Sequence, residues 1–236
     1  MLKQRVRAGE VLRGLWQTLP GPVAAEIADG AGFDWLMLDG EHGPWDPADL
    51  RARAIACRRT PTIVRVPVAE PWVIKQALDL GIGTVLAPMV HSAAQATEVV
   101  AACRYVGGGR GQGSFIARAS GWGRDAGYAA RADGEVSVWV QAESRAALAE
   151  LEGICAVEGV DCVFLGPADL AGDMGMPVSD PSVQDALRDA IRRIRGAGVA
   201  AGIYAADPEG WIAEGATVVS MGCDAPLLAA ALDAAR

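Results

Sequence analysis

A (β/α)8 TIM barrel of the α/β class is the fold this sequence predicts, and three observations predict it. Five helix-favouring, Ala-rich stretches each stop at a glycine (Gly32, Gly81, Gly159, Gly198 and Gly215) and give way within a few residues to an apolar β-type run. Glycine closes a helix by taking the left-handed conformation that other residues resist, so each of these glycines marks a helix-to-strand joint. Most of the runs are continuously apolar rather than alternating, as in parallel strands covered on both faces. Eight candidate strands in 236 residues come to about 30 residues per unit, the size of one βα repeat.

Taken in order, the strands are 13–17, 34–38, 62–66, 84–86, 137–141, 162–165, 200–204 and 217–219. A doubly wound sheet is the alternative, but it wants a dinucleotide fingerprint that joins a strand to a helix. The stretch Gly107-Gly108-Gly109-Arg110-Gly111-Gln112-Gly113 has no clear strand before it and no clear helix after it. It reads as a loop, or as a cradle for phosphate or carboxylate. The turn-dense segment 107–134, with Arg110, Arg118, Trp122, Arg124 and Tyr128, reads as an extended βα loop after the fourth strand that covers the active site. The Ala-rich end, with Leu227, Leu228 and Leu232 on one side, reads as a packed terminal helix. No composition break or linker divides the chain, so residues 1–236 are expected to form one domain.

An excess of 29 acidic over 21 basic side chains, net charge −8, argues against nucleic acid or an anionic membrane as partner. Small molecules and other proteins remain. With only two histidines, His42 and His91, a His-rich zinc site is not available, and any metal must lean on oxygen ligands. Five scattered cysteines without a C-x-x-C pair read as reduced and buried. No apolar segment follows the basic N-terminal residues, so the chain is expected in the cytoplasm. The longest uncharged stretch, 80–97, is broken by Gly81, Gly83 and Pro88 and reads as a strand with its loops rather than a membrane span.

A barrel of this kind places its active site at the C-terminal ends of the strands. Four strand ends carry unusual polar groups: Asp39-Gly40-Glu41-His42-Gly43, Arg65, Gln141-Ala142-Glu143 and Gly166-Pro167-Ala168-Asp169-Leu170. Taken singly, Asp169 reads as a helix cap, Glu143 as a cap or a partner of Arg145, and His42 as a structural imidazole. Arg65 is different: a guanidinium among Ile63, Val64 and Val66 must meet an anion or carry a large desolvation cost. Converging on one mouth, these groups suit acid–base chemistry on an anionic substrate beside a metal.

The segments Gly14-Leu15-Trp16, Asp39-Gly40-Glu41-His42, Arg104-Tyr105, Arg110-Gly111, Ala117-Arg118-Ala119-Ser120, Gln141-Ala142-Glu143 and Gly166-Pro167-Ala168-Asp169-Leu170 fall in the order and spacing of one family. Over about residues 10–235 the chain resembles the HpcH/HpaI aldolases, metal-dependent class II pyruvate aldolases such as those acting on 4-hydroxy-2-oxoheptanedioate and 2-keto-3-deoxy-sugar acids. The resemblance implies a phosphoenolpyruvate/pyruvate-type barrel that reversibly cleaves a 4-hydroxy-2-oxo acid to pyruvate and an aldehyde through a metal-stabilised enolate. It implies Glu143 and Asp169 as ligands of Mg2+, Mn2+ or Co2+, no organic cofactor, Arg65 as enolate stabiliser, and His42, oriented by Asp39, as the acid–base residue. Gln141 would support the metal shell, the backbone of Gly166, Pro167 and Ala168 would hold the pyruvate carboxylate, and Trp16 would line the substrate pocket.

The resemblance further implies a homo-oligomer, hexamer or trimer, in which the last helix is exchanged and Asp79 of the partner subunit approaches the site. Read by itself, Asp79 is only a helix-end residue near Gly81. The chain's sole lysines are Lys3 and Lys75, the latter in mid-helix, so no Schiff-base lysine is expected. Two rivals are a CoA-thioester lyase of the related citrate-lyase-like barrels, which wants a basic surface for its nucleotide, and a non-catalytic ligand-binding barrel. Against the second stands the complete set Asp39, His42, Arg65, Glu143 and Asp169. Tyr204, where relatives commonly carry an aliphatic residue, is expected to narrow the aldehyde pocket or donate a hydrogen bond there, and Trp45 is a further candidate for its lining.

Overall fold

Each of the five joint glycines takes the left-handed backbone, with φ of 86° at Gly32, 85° at Gly81, 111° at Gly159, 79° at Gly198 and 109° at Gly215. A computed structural model describes residues 1–205 and 207–236. In chain order it contains α1 (Leu2–Arg7), β1 (Leu12–Gln17), α2 (Pro22–Asp29), β2 (Trp35–Asp39), α3 (Pro47–Ala56), β3 (Thr62–Arg65), α4 (Pro71–Asp79), β4 (Thr84–Ala87) and α5 (Ala93–Ala102). Then follow α6 (Tyr128–Glu135), β5 (Ser137–Ala142), α7 (Arg145–Ala149), α8 (Leu151–Cys155), β6 (Val160–Leu165), α9 (Pro167–Met174), α10 (Pro181–Gly196), β7 (Ala200–Tyr204), α11 (Pro208–Ala213), β8 (Val218–Cys223) and α12 (Asp224–Ala234). The eight parallel strands pair in sequence order, and β8 closes on β1. This is the (β/α)8 barrel the sequence predicts.

Large rings fill the barrel interior. Trp35 meets Trp139 edge-on at 6.0 Å, and Trp139 stacks on Phe164 at 6.5 Å. They fit because the facing positions lack side chains: a Cβ on Gly14 would overlap the Trp35 ring, and one on Gly202 the Phe164 ring. Helix α1 closes the bottom, with Leu2 and Val6 packed onto this interior cluster. There Lys3 Nζ donates to the Val136 carbonyl at 2.6 Å, and Asp161 accepts from Arg7 Nε at 2.6 Å and from the Val138 N–H at 2.9 Å. A second apolar core, built from Leu38, Val64, Val85, Val140, Val163 and Ile203 on the strands, packs under the helices.

One expectation needs correction. The segment 107–134 is not a lid on the mouth. Ser92 caps α5, its hydroxyl accepting the Gln95 N–H at 3.2 Å, and this helix carries the chain back to the bottom of the barrel before Gly107. The segment therefore leads into β5 at the end opposite the active site, where Arg118 donates to the Leu80 carbonyl just before β4. Arg110 is buried there between the rings of Tyr105 (4.3 Å) and Tyr128 (5.5 Å). The terminal helix, expected to be exchanged with a partner subunit, buries none of its residues within its own chain, and Leu227, Leu228 and Leu232 are 51, 50 and 60% exposed. Among the described residues no helix is long and apolar enough to cross a membrane.

Candidate active site

The register of the sheet builds the first half of the site. Asp39 ends β2 and Arg65 ends β3, and the two are directly paired positions. Their side chains meet as a fork, with Arg65 Nε donating to Asp39 Oδ1 at 2.8 Å and Nη2 to Oδ2 at 2.7 Å. The third nitrogen, Nη1, lies 2.6 Å from Glu41 Oε2, and the guanidinium sits 5.1 Å from the centre of the Trp16 ring. The anion that a buried Arg65 demanded is thus supplied by the chain itself. Burial alone would raise Asp39, yet Arg65 and the N–H groups of Glu41 and His42 hold its carboxyl below the ordinary range. Glu41 is raised, chiefly by burial, against the pull of Arg65.

Strands β5 and β6 build the second half. Glu143, one residue past β5, is buried; its Oε1 accepts the Met89 N–H at 2.9 Å, and its Oε2 accepts from the Gln141 amide. Met89 donates from a left-handed backbone, φ 56°, which is unusual for a residue with a side chain. Burial, opposed by that N–H and reinforced by the carboxylates of Asp169 and Glu41, pushes Glu143 up to about 7. Gly166 gives Glu143 its room, because a Cβ there would overlap Glu143 Oε2 and lie 2.9 Å from Gln141 Nε2. Gly166 also precedes α9, whose first turn contains Asp169 and has no side-chain cap. Pro167 carries no N–H, and the next two, of Ala168 and Asp169, take no side-chain cap, which is the place where a helix can receive an anion.

A cavity of about 480 Å³ joins the halves. Asp39, His42, Arg65, Gln141 and the run Gly166, Pro167, Ala168, Asp169 supply its polar lining, and Trp16, Phe164, Val178, Tyr204 and Cys223 its apolar lining, with Thr18 between. Glu143 adjoins it through Gln141 and Gly166. Among the described residues no three side chains of His, Cys, Asp or Glu converge into a closed cage. Glu143 and Asp169 carry the hard carboxylate oxygens on this side of the mouth.

Two expected placements fail, those of Asp39 against the His42 ring and of Trp45. Asp39 binds the backbone N–H of His42 at 3.4 Å rather than its imidazole, because Arg65 takes both carboxylate oxygens. Asp79, expected near the site only from a partner subunit, lies at the bottom of its own barrel, 3.3 Å from Arg110. Trp45 packs over Gly40, where a Cβ would come within 2.5 Å of its ring, and is not part of the cavity wall. His91, without a role in the sequence, holds Ser144 Oγ at 2.8 Å beside the cap of α7. Sequence reasoning gave no role to Glu41, Thr18, Val178 or Cys223. Only Glu41 carried a signal, a second acid beside Asp39 at a strand end.

The model of the HpcH/HpaI aldolase/citrate lyase family matches residues 12–231. The chain belongs to this family. A hydroxypyruvate/pyruvate aldolase of Deinococcus radiodurans is 48% identical to it, over 97% of this chain and 86% of its own. A 4-hydroxy-2-oxovalerate aldolase of Rhodococcus jostii is 46% identical, over 96% of this chain and 91% of its own. The crystal structure of an HpcH/HpaI aldolase/citrate lyase family protein from Burkholderia cenocepacia superposes with a TM-score of 0.96 at 36% identity, covering 99% of this chain and 96% of that one. This HpcH/HpaI protein is an aldolase, a carbon–carbon lyase of the pyruvate class.

Proposed function

We propose that this aldolase reversibly cleaves a 4-hydroxy-2-oxo acid to pyruvate and an uncharged aldehyde, with a divalent ion held by Glu143 and Asp169. The observation that carries this reading is the charge balance of the mouth. Four carboxylates, Asp39, Glu41, Glu143 and Asp169, surround one guanidinium, Arg65, which Asp39 and Glu41 already engage. A 2-oxo acid is itself an anion, so the mouth must gain positive charge to hold it. Two carboxylates with open positions suit Mg2+, Mn2+ or Co2+. The raised Glu143 fits such an ion, since a carboxyl raised by burial, and further by neighbouring carboxylates, gains from a cation beside it.

The ion would supply a Lewis acid for the 2-oxo group. Arg65, fixed by its fork to Asp39, would place N–H donors where negative charge grows on the C2 oxygen as the carbon–carbon bond breaks. The backbone N–H groups of Gly166 and Ala168 at the start of α9, Pro167 having none, would receive the carboxylate, and Gln141 would steady Glu143. His42, exposed at the cavity, would accept the 4-hydroxyl proton on cleavage and return it on synthesis. Neither lysine serves: Lys3 closes the barrel bottom and Lys75 lies on α4. The aldehyde-side wall of Trp16, Phe164, Val178, Tyr204 and Cys223 carries no cation, which favours uncharged over carboxylated aldehydes. The exposed leucines of α12, and an Asp79 remote from its own mouth, support a homo-oligomer, hexamer or trimer, in which Asp79 of the partner subunit completes the site.

Pyruvate release from a panel of 4-hydroxy-2-oxo acids, followed with lactate dehydrogenase, tests the reading. Activity should vanish after thorough chelation and return with manganese. Activity that survives chelation, or borohydride trapping of a covalent pyruvate adduct, would refute it.

A further inference from the structure

We propose that Asp224, the first residue of α12, is a positioning residue that sets the aldehyde side of the mouth. The proposal rests on the aldolase reading above. Asp224 Oδ1 accepts the Thr18 backbone N–H at 2.8 Å and the Thr18 hydroxyl at 3.1 Å, and Oδ2 accepts the Leu19 N–H at 3.2 Å. One half-buried carboxylate therefore satisfies three donors of the short loop that leaves β1. Bonds to a charged acceptor are about twice as strong as neutral ones, so this is the loop's main restraint at Thr18.

Thr18 touches both things the aldehyde would meet. It lines the cavity with Cys223, whose Sγ is 3.4 Å from its hydroxyl, and Cys223 is paired with Trp16 across the β1–β8 seam. It also backs the turn that carries His42: a Cβ built on Gly43 would lie 3.4 Å from Thr18 Cα. The far end of the loop has a separate anchor. Asp49 accepts the Gly21 N–H at 2.7 Å, and the fully buried Arg53 donates to the Gln17 carbonyl at 2.7 Å. Loss of Asp224 would thus free Thr18 and Leu19 while the loop's ends stay tied. Arg65 ends β3, Gln141 lies on β5, Glu143 just past it and Asp169 in the first turn of α9, and among the described residues none of their hydrogen bonds or ion pairs runs to Thr18, Leu19 or Asp224. The pyruvate half should not sense the change.

The test separates two half-reactions in the full-length, manganese-loaded enzyme: deuterium exchange at the pyruvate methyl group, and aldol addition of pyruvate to propanal. In Asp224→Ala, kcat/KM for propanal should fall at least about tenfold, mostly through KM, while pyruvate exchange stays within about twofold of wild type. Asp224→Asn, which keeps an acceptor for Thr18, should recover addition to within about threefold. Equal loss in both half-reactions, or no loss in either, would overturn the proposal. Should Asp224→Ala not fold, Thr18→Val removes the hydroxyl bond alone and should raise the propanal KM about threefold with exchange unchanged; an unaltered KM would overturn the proposal as well. A wild-type enzyme that exchanges no pyruvate protons would instead refute the aldolase mechanism itself.

Discussion

Glu143 should report the arrival of the ion through its own proton. Its carboxyl is pushed from an ordinary 4.5 up to about 7, chiefly by burial, and a ligating carboxylate must be deprotonated. At pH 6 about nine-tenths of the ion-free molecules then carry this proton, and at pH 8 about one-tenth. Manganese binding should release about 0.9 proton per site at pH 6 and about 0.1 at pH 8, with affinity falling about tenfold per unit below pH 7. The stability of the ion-free protein follows the same equilibrium. A carboxyl whose folded pKa is raised favours the native state in its protonated form. This contribution, on the order of 3 kcal/mol, is complete below pH 4.5 and is lost as the pH rises through 7. Titration calorimetry at pH 6, 7 and 8, in buffers of different ionisation enthalpy, measures the proton count directly. Equal proton release at pH 6 and pH 8 would refute the assignment of Glu143 as a ligand, and Glu143→Gln should abolish the pH-dependent release.

Gly166→Ala would drive a methyl group into the Glu143 carboxylate, the far end of a flexible side chain; the fold should survive and manganese affinity should drop by at least about tenfold, as read by calorimetry. Arg65→Ala leaves Asp39 and Glu41 buried without their cation; beyond losing cleavage, it should destabilise the protein by about 3–5 kcal/mol in urea unfolding. Arg65→Lys keeps the charge but not the fork, and should fold better while turning over at least about a hundredfold more slowly. In His42→Ala, aldol cleavage should fall about 10²–10⁴-fold while pyruvate methyl exchange persists; parallel loss of both would remove His42 from the aldehyde-side proton transfer.

Much of the fold was legible because its signals are local. A glycine that must take positive φ is visible one residue at a time, and a strand buried on both faces is visible as an apolar run. The cluster at the mouth was legible for a topological reason: once the chain is a parallel barrel, every strand's C-terminal end meets the others. What escaped depends on side-chain choice or on distant pairing. Asp39 stands three positions before His42, and the spacing alone allows it to reach either the imidazole or the backbone. The β2–β3 register decides, by setting Asp39 beside Arg65. Segment 107–134 emerges at the opposite end from the one expected because 93–102, Ala-rich but not closed by one of the joint glycines, is itself a helix, and one helix more inverts the end at which the next loop emerges. The Asp224 clamp joins residues about two hundred positions apart through closure of β8 on β1, and no local pattern announces it.

The same geometry ranks the two positive groups of the site. Arg65 is bonded twice to Asp39 and lies 2.6 Å from Glu41, so the cluster it belongs to is not positive overall. It can donate hydrogen bonds to an oxygen beside it, but it offers a distant anion little net attraction. The carboxylate of Asp169, and that of Glu143 once ionised, repel that anion further, and their mutual repulsion adds to the burial that raises Glu143. On the proposed mechanism, drawing a 2-oxo acid into the mouth would fall to a cation bound by Glu143 and Asp169, whereas Arg65 would act at short range once the substrate has arrived. Removing the ion should accordingly weaken pyruvate binding more than Arg65→Lys does, and Arg65→Lys should act mainly on turnover.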